Sequence, residues 1–225
     1  MAIQRIRVTY GRRGPIKHIS HLDMIRMWQR AFRRAGLPIA QSEGHTPRPR
    51  FSLASPLAVG VTAEAELMDV YLRRRVSPFY FLKKLTPQLP EGIEIREAND
   101  APMDWPSLQS QVQKAEYLVT VEAGPGSGDI EAAIHRLLDQ TAIPWEHRRD
   151  KEVRRYDLRA QVHGMWLEEE RADGLVLGML LKADPSGSGR PEQVVAALGL
   201  PASPKAVHRT KLILAPPPRK AAARR

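Results

Sequence analysis

The 225-residue chain contains no cysteine. That excludes disulfides, thiolate zinc sites, thiol catalysis and any cysteine-held iron–sulfur cluster on this chain. It also leaves the redox compartment unmarked. Aromatic residues are scarce at 6%, and most fall at core positions, so base stacking is a weak reading of any nucleic-acid contact. No apolar run approaches the roughly 20 residues that a membrane helix needs. The opening Met1-Ala2-Ile3-Gln4-Arg5 lacks the apolar core of a signal peptide. Phosphate-cradling P-loops and dinucleotide fingerprints are missing too. These absences lead to the expectation of a soluble cytoplasmic protein with no membrane partner.

What is present is positive charge. Lys and Arg number 35 against 25 Asp and Glu, a formal net charge of +10, with a pI near 10.2. Such a balance favours polyanions, with nucleic acid first and acidic protein or membrane surface second. The plainer explanation is the general basicity of an arginine-rich proteome. At 42% hydrophobic the chain can bury a real core, and its length suits one large domain or two small ones.

Taken in order, Ile3–Tyr10 alternates, with Ile6, Val8 and Tyr10 on one face and Arg5, Arg7 and Thr9 on the other, as in a half-buried strand. Ser20 is a good N-cap and Asp23 completes a capping box, so a helix is predicted over Ser20–Ala35. At about 100° per residue, His21, Met24, Ile25, Trp28, Phe32 and Ala35 face inward while Arg26, Arg30, Arg33 and Arg34 face outward. Gly36 and Pro38 end it. Leu37–Ser42 suits a short strand, Phe51–Leu57 is partly extended, and Glu64–Arg73 is a strand. Ser77–Leu89 suits a helix and Ile93–Ala98 alternates again. The order is β-α-β-β-α-β, the ferredoxin-like arrangement.

A linker with Pro102 and Pro106 follows, and the order restarts. Tyr117–Glu122 reads as a strand, Gly124–Gly128 as a flexible turn and Asp129–Gln140 as a helix. Glu146–Arg155 suits an exposed strand or hairpin arm, and Tyr156–Trp166 is open between helix and strand. Leu175–Ala183, Arg190–Leu198 and Ala206–Leu214 read as strand, helix and strand. The expected fold is α+β: two tandem ferredoxin-like (β-α-β-β-α-β) halves with antiparallel sheets. The halves are residues 1–100 and 115–214, with a linker at 101–114 and a disordered basic tail at 215–225. One continuous α+β domain is the alternative.

Ser20-His21-Leu22-Asp23 contains the parts of an acid–base site. However, Ser20 and Asp23 are explained as a cap, and His21 projects about 160° from Asp23 on a helix. His21 either faces the core or meets a ligand at the helix N-terminus, where the dipole favours an anion. His18, His21 and His45 could meet around a metal only with orienting groups that are not evident, so no metal site is assigned. Gly44–Arg50 holds Arg48 and Arg50 between Pro47 and Pro49, and arginine on a stiff loop suits phosphate or carboxylate. The candidate anion- or RNA-binding residues are therefore Ser20, His21, Arg26, Arg30, Arg33, Gly44, Arg48 and Arg50. The clusters Arg73-Arg74-Arg75 and Arg148–Arg155 are either solvated faces or additions to a basic groove.

Five motifs carry a resemblance: Ser20-His21-Leu22-Asp23, Arg33-Arg34-Ala35-Gly36-Leu37-Pro38, Ser42-Glu43-Gly44, Pro47-Arg48-Pro49 and Pro56-Leu57-Ala58-Val59-Gly60-Val61. With them, the chain resembles the radical-SAM-linked (radical SAM-associated) family, a bacterial domain of unknown function. Tyr156-Asp157-Leu158-Arg159 and His208-Arg209-Thr210-Lys211-Leu212 look like its later signatures. His45 and Thr46 depart from the family, whose members usually carry an aromatic and an asparagine there. Genomic association with radical SAM proteins implies a partner role in an RNA- or ribosome-connected process, and the resemblance carries over no catalytic residue. Without cysteine, this chain cannot hold the radical SAM cluster, so no cofactor is expected on it. The expected function is a non-catalytic accessory protein that binds RNA or a ribosome-related substrate beside a separate radical SAM protein. The alternatives are a metal-independent endoribonuclease using His21, or a purely protein-binding adaptor.

Overall fold

Ile6, Val8 and Tyr10 are buried along the first strand, β1 (Gln4–Arg12), as their alternation requires. The computed structural model describes residues 2–122, 129–149, 152–201 and 203–216, and the chain divides into two units. Unit 1 runs to Val112 and takes back the chain from Leu214; unit 2 is Gln113–Ile213.

In unit 1, β1 is followed by α1 (His21–Arg34), β2 (Phe51–Leu53), β3 (Thr62–Leu72), α2 (Pro78–Leu85), β4 (Ile93–Ala101) and α3 (Leu108–Gln111). The sheet order is β2–β3–β1–β4, all antiparallel. Ile6 lies opposite Val70, and Val8 lies between Met68 and Ala98, so one face of the sheet is continuously apolar. Met24, Met27, Trp28, Ala31 and Phe32 of α1 are buried with that face. Trp28 meets Tyr10 edge-on at 5.1 Å and stacks near Phe32 at 5.9 Å, and Phe32 meets Phe51 at 5.3 Å. Burying each large side chain contributes about 1.5–3 kcal/mol before entropy is counted, so α1 is held rigidly on the sheet.

Arg5 corrects the half-exposed reading of β1. Its side chain is 1% exposed and paired with fully buried Asp69. It also donates to the carbonyls of Trp105 (3.0 Å) and Pro106 (3.0 Å). The expected linker at 101–114 is therefore tied down at 105–106. β4 reaches Ala101, α3 occupies 108–111 and β5 starts at Val112. Leu37–Ser42 forms only isolated bridges, Ile39 to Leu72 and Gln41 to Pro49, in place of a strand.

Unit 2 contains β5 (Val112–Glu122), α4 (Ile130–Asp139), β6 (Pro144–Arg149), β7 (Glu152–Asp157), β8 (Val162–Arg171), β9 (Gly174–Asp184), β10 (Gly187–Ser188), α5 (Pro191–Ala197) and β11 (Ala206–Leu214). Its sheet runs β8–β9–β5–β11, with β10 folded back antiparallel on the end of β9. β6 and β7 form a separate two-stranded hairpin, and the open stretch Tyr156–Trp166 comprises the end of β7, a 3₁₀ turn at Arg159–Gln161 and the start of β8. Leu175, Val176, Leu177, Met179 and Leu181 bury the central strand β9. Asp129 caps α4 by accepting from Ala132 N–H at 3.0 Å. Apart from the hairpin and the two-residue β10, each unit orders its sheet strands second, third, first, fourth. The turn expected at Gly124–Gly128 lies outside the described residues, as does the tail beyond residue 216. Ala215 N–H donates to Gln111 carbonyl at 2.6 Å.

The fold is thus α+β with mostly antiparallel sheets. Among the described residues, no helix is long and apolar enough to cross a membrane.

Candidate functional site

The N-terminus of α1 is built by its cap. Ser20 Oγ accepts from Asp23 N–H at 3.2 Å and donates to Asp23 Oδ2 at 2.8 Å. Arg26 donates to Asp23 Oδ1 at 3.0 Å. The Ser20 hydroxyl, then Arg26, hold the Asp23 carboxyl below its ordinary value. Both groups are thereby committed to the cap, and Ser20 is not a nucleophile waiting for a base. The turn before the cap is fixed by Arg12, buried at 2% exposure, which donates to the Lys17 and Ile19 carbonyls.

His21 is half-buried beside the cap. Together with Ile25 and Gln29, at i+4 and i+8, it forms one wall of a groove of about 350 Å³. Arg48, Pro49 and Phe51 line the same groove. The proline loop is clipped at its base: Ser42 N–H donates to Arg48 carbonyl (2.8 Å), Arg48 N–H to Ser42 Oγ (3.0 Å) and Arg50 N–H to Ala40 carbonyl (2.7 Å). The backbone of Arg48 is fixed while its side chain is exposed, with no hydrogen bond or ion pair among the described residues.

The eight expected residues therefore do not form one site. Ser20 is a cap, and His21 and Arg48 share the groove. Arg26, Arg30 and Arg33 lie on the outer face, more than about 100° around the helix from His21. Arg50 is placed over the Tyr71 ring at 4.4 Å, a cation–π contact that occupies its guanidinium. Gly44 is at the exposed loop tip with φ +122°. Among the described residues, no cluster of three or more histidine or acidic side chains could hold a metal, so His18, His21 and His45 do not assemble one.

Two groups of residues escaped the sequence reading. On α2, Phe79 is 76% and Tyr80 41% exposed, beside exposed Arg73, Arg74 and Arg75. The helical wheel carries that signal, because Phe81 and Leu85 alone mark the buried stripe. In unit 2, a pocket of about 290 Å³ is lined by His147, Arg154, Tyr156, Gln161, Ser186 and Arg190, among others. The pairing of β6 with β7 brings His147 beside Arg154 and Tyr156, and the β9–β10 turn and the residue before α5 supply Ser186 and Arg190, which sequence spacing gives no sign of.

Fold and surface together define a class, an α+β protein with antiparallel sheets and a helix that presents arginines to solvent. Residues 5–191 match the family described as "Uncharacterized protein conserved in bacteria (DUF2344)", and the chain belongs to that family. No curated protein matches the chain. Similar solved structures include a Cbf5-Nop10-Gar1 complex (TM-score 0.49, 10% identity, 91% of this chain and 48% of that one). Others are an archaeal box H/ACA sRNP Nop10-Cbf5 complex (TM-score 0.44, 11% identity, 91% and 48%) and an H/ACA RNP bound to a substrate RNA containing 2'-deoxyuridine (TM-score 0.45, 10% identity, 91% and 47%). The chain spans about half the length of each of these chains, and no role is transferred from them.

Proposed function

We propose that this chain is a non-catalytic, cytoplasmic RNA-binding protein that presents RNA, or a ribosome-related substrate, to a separate radical SAM enzyme. One observation carries the RNA part. Arg26, Arg30 and Arg33 stand exposed within about 60° of one another on a helix whose opposite face is locked into the core. Arg30 and Arg33 make no hydrogen bond or ion pair among the described residues, so their charge is available to phosphate. A rigid helix also spares the entropy that a flexible basic tail would lose on binding. Phe79 and Tyr80, exposed beside Arg73–Arg75, add stacking surface of the kind single strands use. The radical SAM partner is supported by the motif resemblance, and with no cysteine on this chain the cluster would have to be the partner's. The shared strand order supports reading both units as ferredoxin-like, with the β6–β7 hairpin inserted in the second.

The test is fluorescence anisotropy with tRNA and rRNA fragments at two salt concentrations. Binding should weaken steeply with salt. Replacing Arg26, Arg30 and Arg33 together by Ala should lower the log–log salt slope by about 2. Salt-independent binding, or a slope unchanged in the triple variant, rejects the reading. A pulldown with and without nuclease tests the partner: retention of the radical SAM protein with no RNA bound would select the adaptor instead.

A further inference from the structure

The pocket in unit 2 is not used by the RNA-binding reading and rests on different residues. We propose that it binds a phosphorylated small ligand of nucleoside-monophosphate size, with the phosphate on Arg154 and Arg190 and a sugar or base donor on Gln161 Oε1.

Hairpin register builds the first wall. His147 of β6 lies directly opposite Arg154 of β7, and Tyr156 follows Arg154 by two residues, so all three share one face of the hairpin. The second wall is the β9–β10 turn, with Ser186, Gly187 and Ser188, and Arg190 just before α5. Arg190 Nη1 lies 3.1 Å from His147 Nε2. A guanidinium has donors only, so Nε2 can serve this contact only as the acceptor. His147 thus aims Arg190 without cancelling its charge. Arg154 makes no hydrogen bond or ion pair among the described residues.

The lining contains two guanidinium groups and no carboxylate. Neighbouring carboxylates are engaged elsewhere: Asp184 accepts from Ser186 N–H (2.8 Å) and Oγ (2.6 Å), and Glu146 pairs with Arg155 at 3.0 Å. Glu192 acts on Tyr156 from α5 but does not line the pocket. Two arginines converging on a concave wall suit a phosphate monoester.

The ligand needs a second feature. Gln161 Oε1 is buried and accepts no hydrogen bond among the described residues. Buried acceptors are normally satisfied, so this oxygen marks a place for a donor separate from the phosphate group, a sugar hydroxyl or a base N–H. A Cβ on Gly187 would sit 3.2 Å from this oxygen, so any larger residue there would crowd it. Tyr156 donates its hydroxyl to Gln193 Oε1, and burial pushes its pKa up, so it remains a neutral ring bordering the pocket. A volume near 290 Å³ suits a single nucleotide rather than an extended chain.

Isothermal titration calorimetry on the full chain decides it, with AMP, adenosine and inorganic phosphate as probes. AMP should bind, and adenosine and phosphate should each bind at least about tenfold more weakly. Arg154→Ala with Arg190→Ala should weaken AMP at least about tenfold and leave adenosine unchanged. Gln161→Leu should weaken AMP and leave phosphate unchanged. A 5'-phosphorylated oligonucleotide compared with its 5'-hydroxyl form separates an RNA end from a free nucleotide as source of the same phosphate. The Arg26, Arg30, Arg33 triple variant should keep AMP binding, so failure of the RNA reading leaves this one standing. No heat at about millimolar AMP, wild-type affinity in the folded double-arginine variant, or phosphate binding as tightly as AMP would overturn it.

Discussion

Replacing Asp69 by Asn should strike unit 1 harder than any loss of surface charge. The Asp69 carboxylate is fully buried and accepts from Arg5 Nε at 2.8 Å, Arg7 Nε at 2.8 Å and Arg7 Nη2 at 3.1 Å, with a further bond from Arg5 Nη2. Arg5 is itself 1% exposed, and its remaining donors reach only neutral carbonyls at Pro102, Trp105 and Pro106. The carboxamide introduced by Asp69→Asn could still accept, but the guanidinium charge of Arg5 would lie buried with no counter-charge. Breaking a buried pair this way costs about 3–5 kcal/mol. For a chain of this size each kcal/mol lowers Tm by roughly 2–4 °C, so a fall of about 6–20 °C is expected. Circular dichroism melts and urea titration would measure it, and limited proteolysis should find new cleavage near Trp105, which Arg5 holds. Arg5→Met combined with Asp69→Leu should recover part of the loss, because the deepest charge is removed and only Arg7, whose side chain still reaches the surface, loses its partner. A loss below about 1 kcal/mol for Asp69→Asn would show that Arg5 finds water or another partner, and the account of this network would fail.

Gly92→Ala should destabilise unit 1 by about 1–3 kcal/mol, because φ is +89° and the new Cβ would collide with the Arg13 carbonyl oxygen; a urea midpoint matching wild type would contradict this. His163 has its pKa lowered, first by burial and then by Lys114, Lys182 and Arg159. Its neutral form is favoured on folding, so its stability contribution is present above about pH 6.5 and lost as pH falls through the lower folded value. His163→Gln should flatten that loss, modestly because the side chain is largely exposed; parallel wild-type and variant curves would count against it. Purified protein should leave RNA intact in EDTA, and His21→Ala should change nothing there; cleavage abolished in a folded His21→Ala variant would instead establish the nuclease alternative.

Helix α1 was legible because its chemistry is local. The spacing of Met24, Trp28 and Phe32 names the buried stripe, and Ser20 with Asp23 names the start. Strand β1 was legible only in its alternation. Period two separates Ile6 and Val8 from Arg5 and Arg7 but cannot say whether the second face meets water, and Asp69 and the 102–106 carbonyls, distant in sequence, cover Arg5. The anion pocket was illegible for a related reason. Glu146–Arg155 shows as a run of charge, whereas the facing of His147 and Arg154 depends on the β6–β7 register and on a β9–β10 turn some 30 residues onward. Phe79 and Tyr80 could have been found, since Phe81 and Leu85 fix the inward face of α2.

Net charge is therefore a poor measure of what this surface offers a polyanion. Arg5, Arg12 and Arg209 are buried, and the first two bind carbonyls that hold loops in place. Arg50 is placed over Tyr71, Arg7 is bound to Asp69, and Arg26 is half-committed to Asp23. What can exchange a counterion for a phosphate is a smaller set with no hydrogen bond or ion pair among the described residues, to which Arg30 and Arg33 on α1 and Arg48 on the groove belong. Their arrangement on rigid backbone, rather than the formal +10, gives the RNA reading its content. The same distinction separates the unit 2 pocket from the helix face. A row of convex arginines reads backbone charge and little else, whereas two arginines beside an unsatisfied carbonyl oxygen in a concavity can require one particular group next to the phosphate.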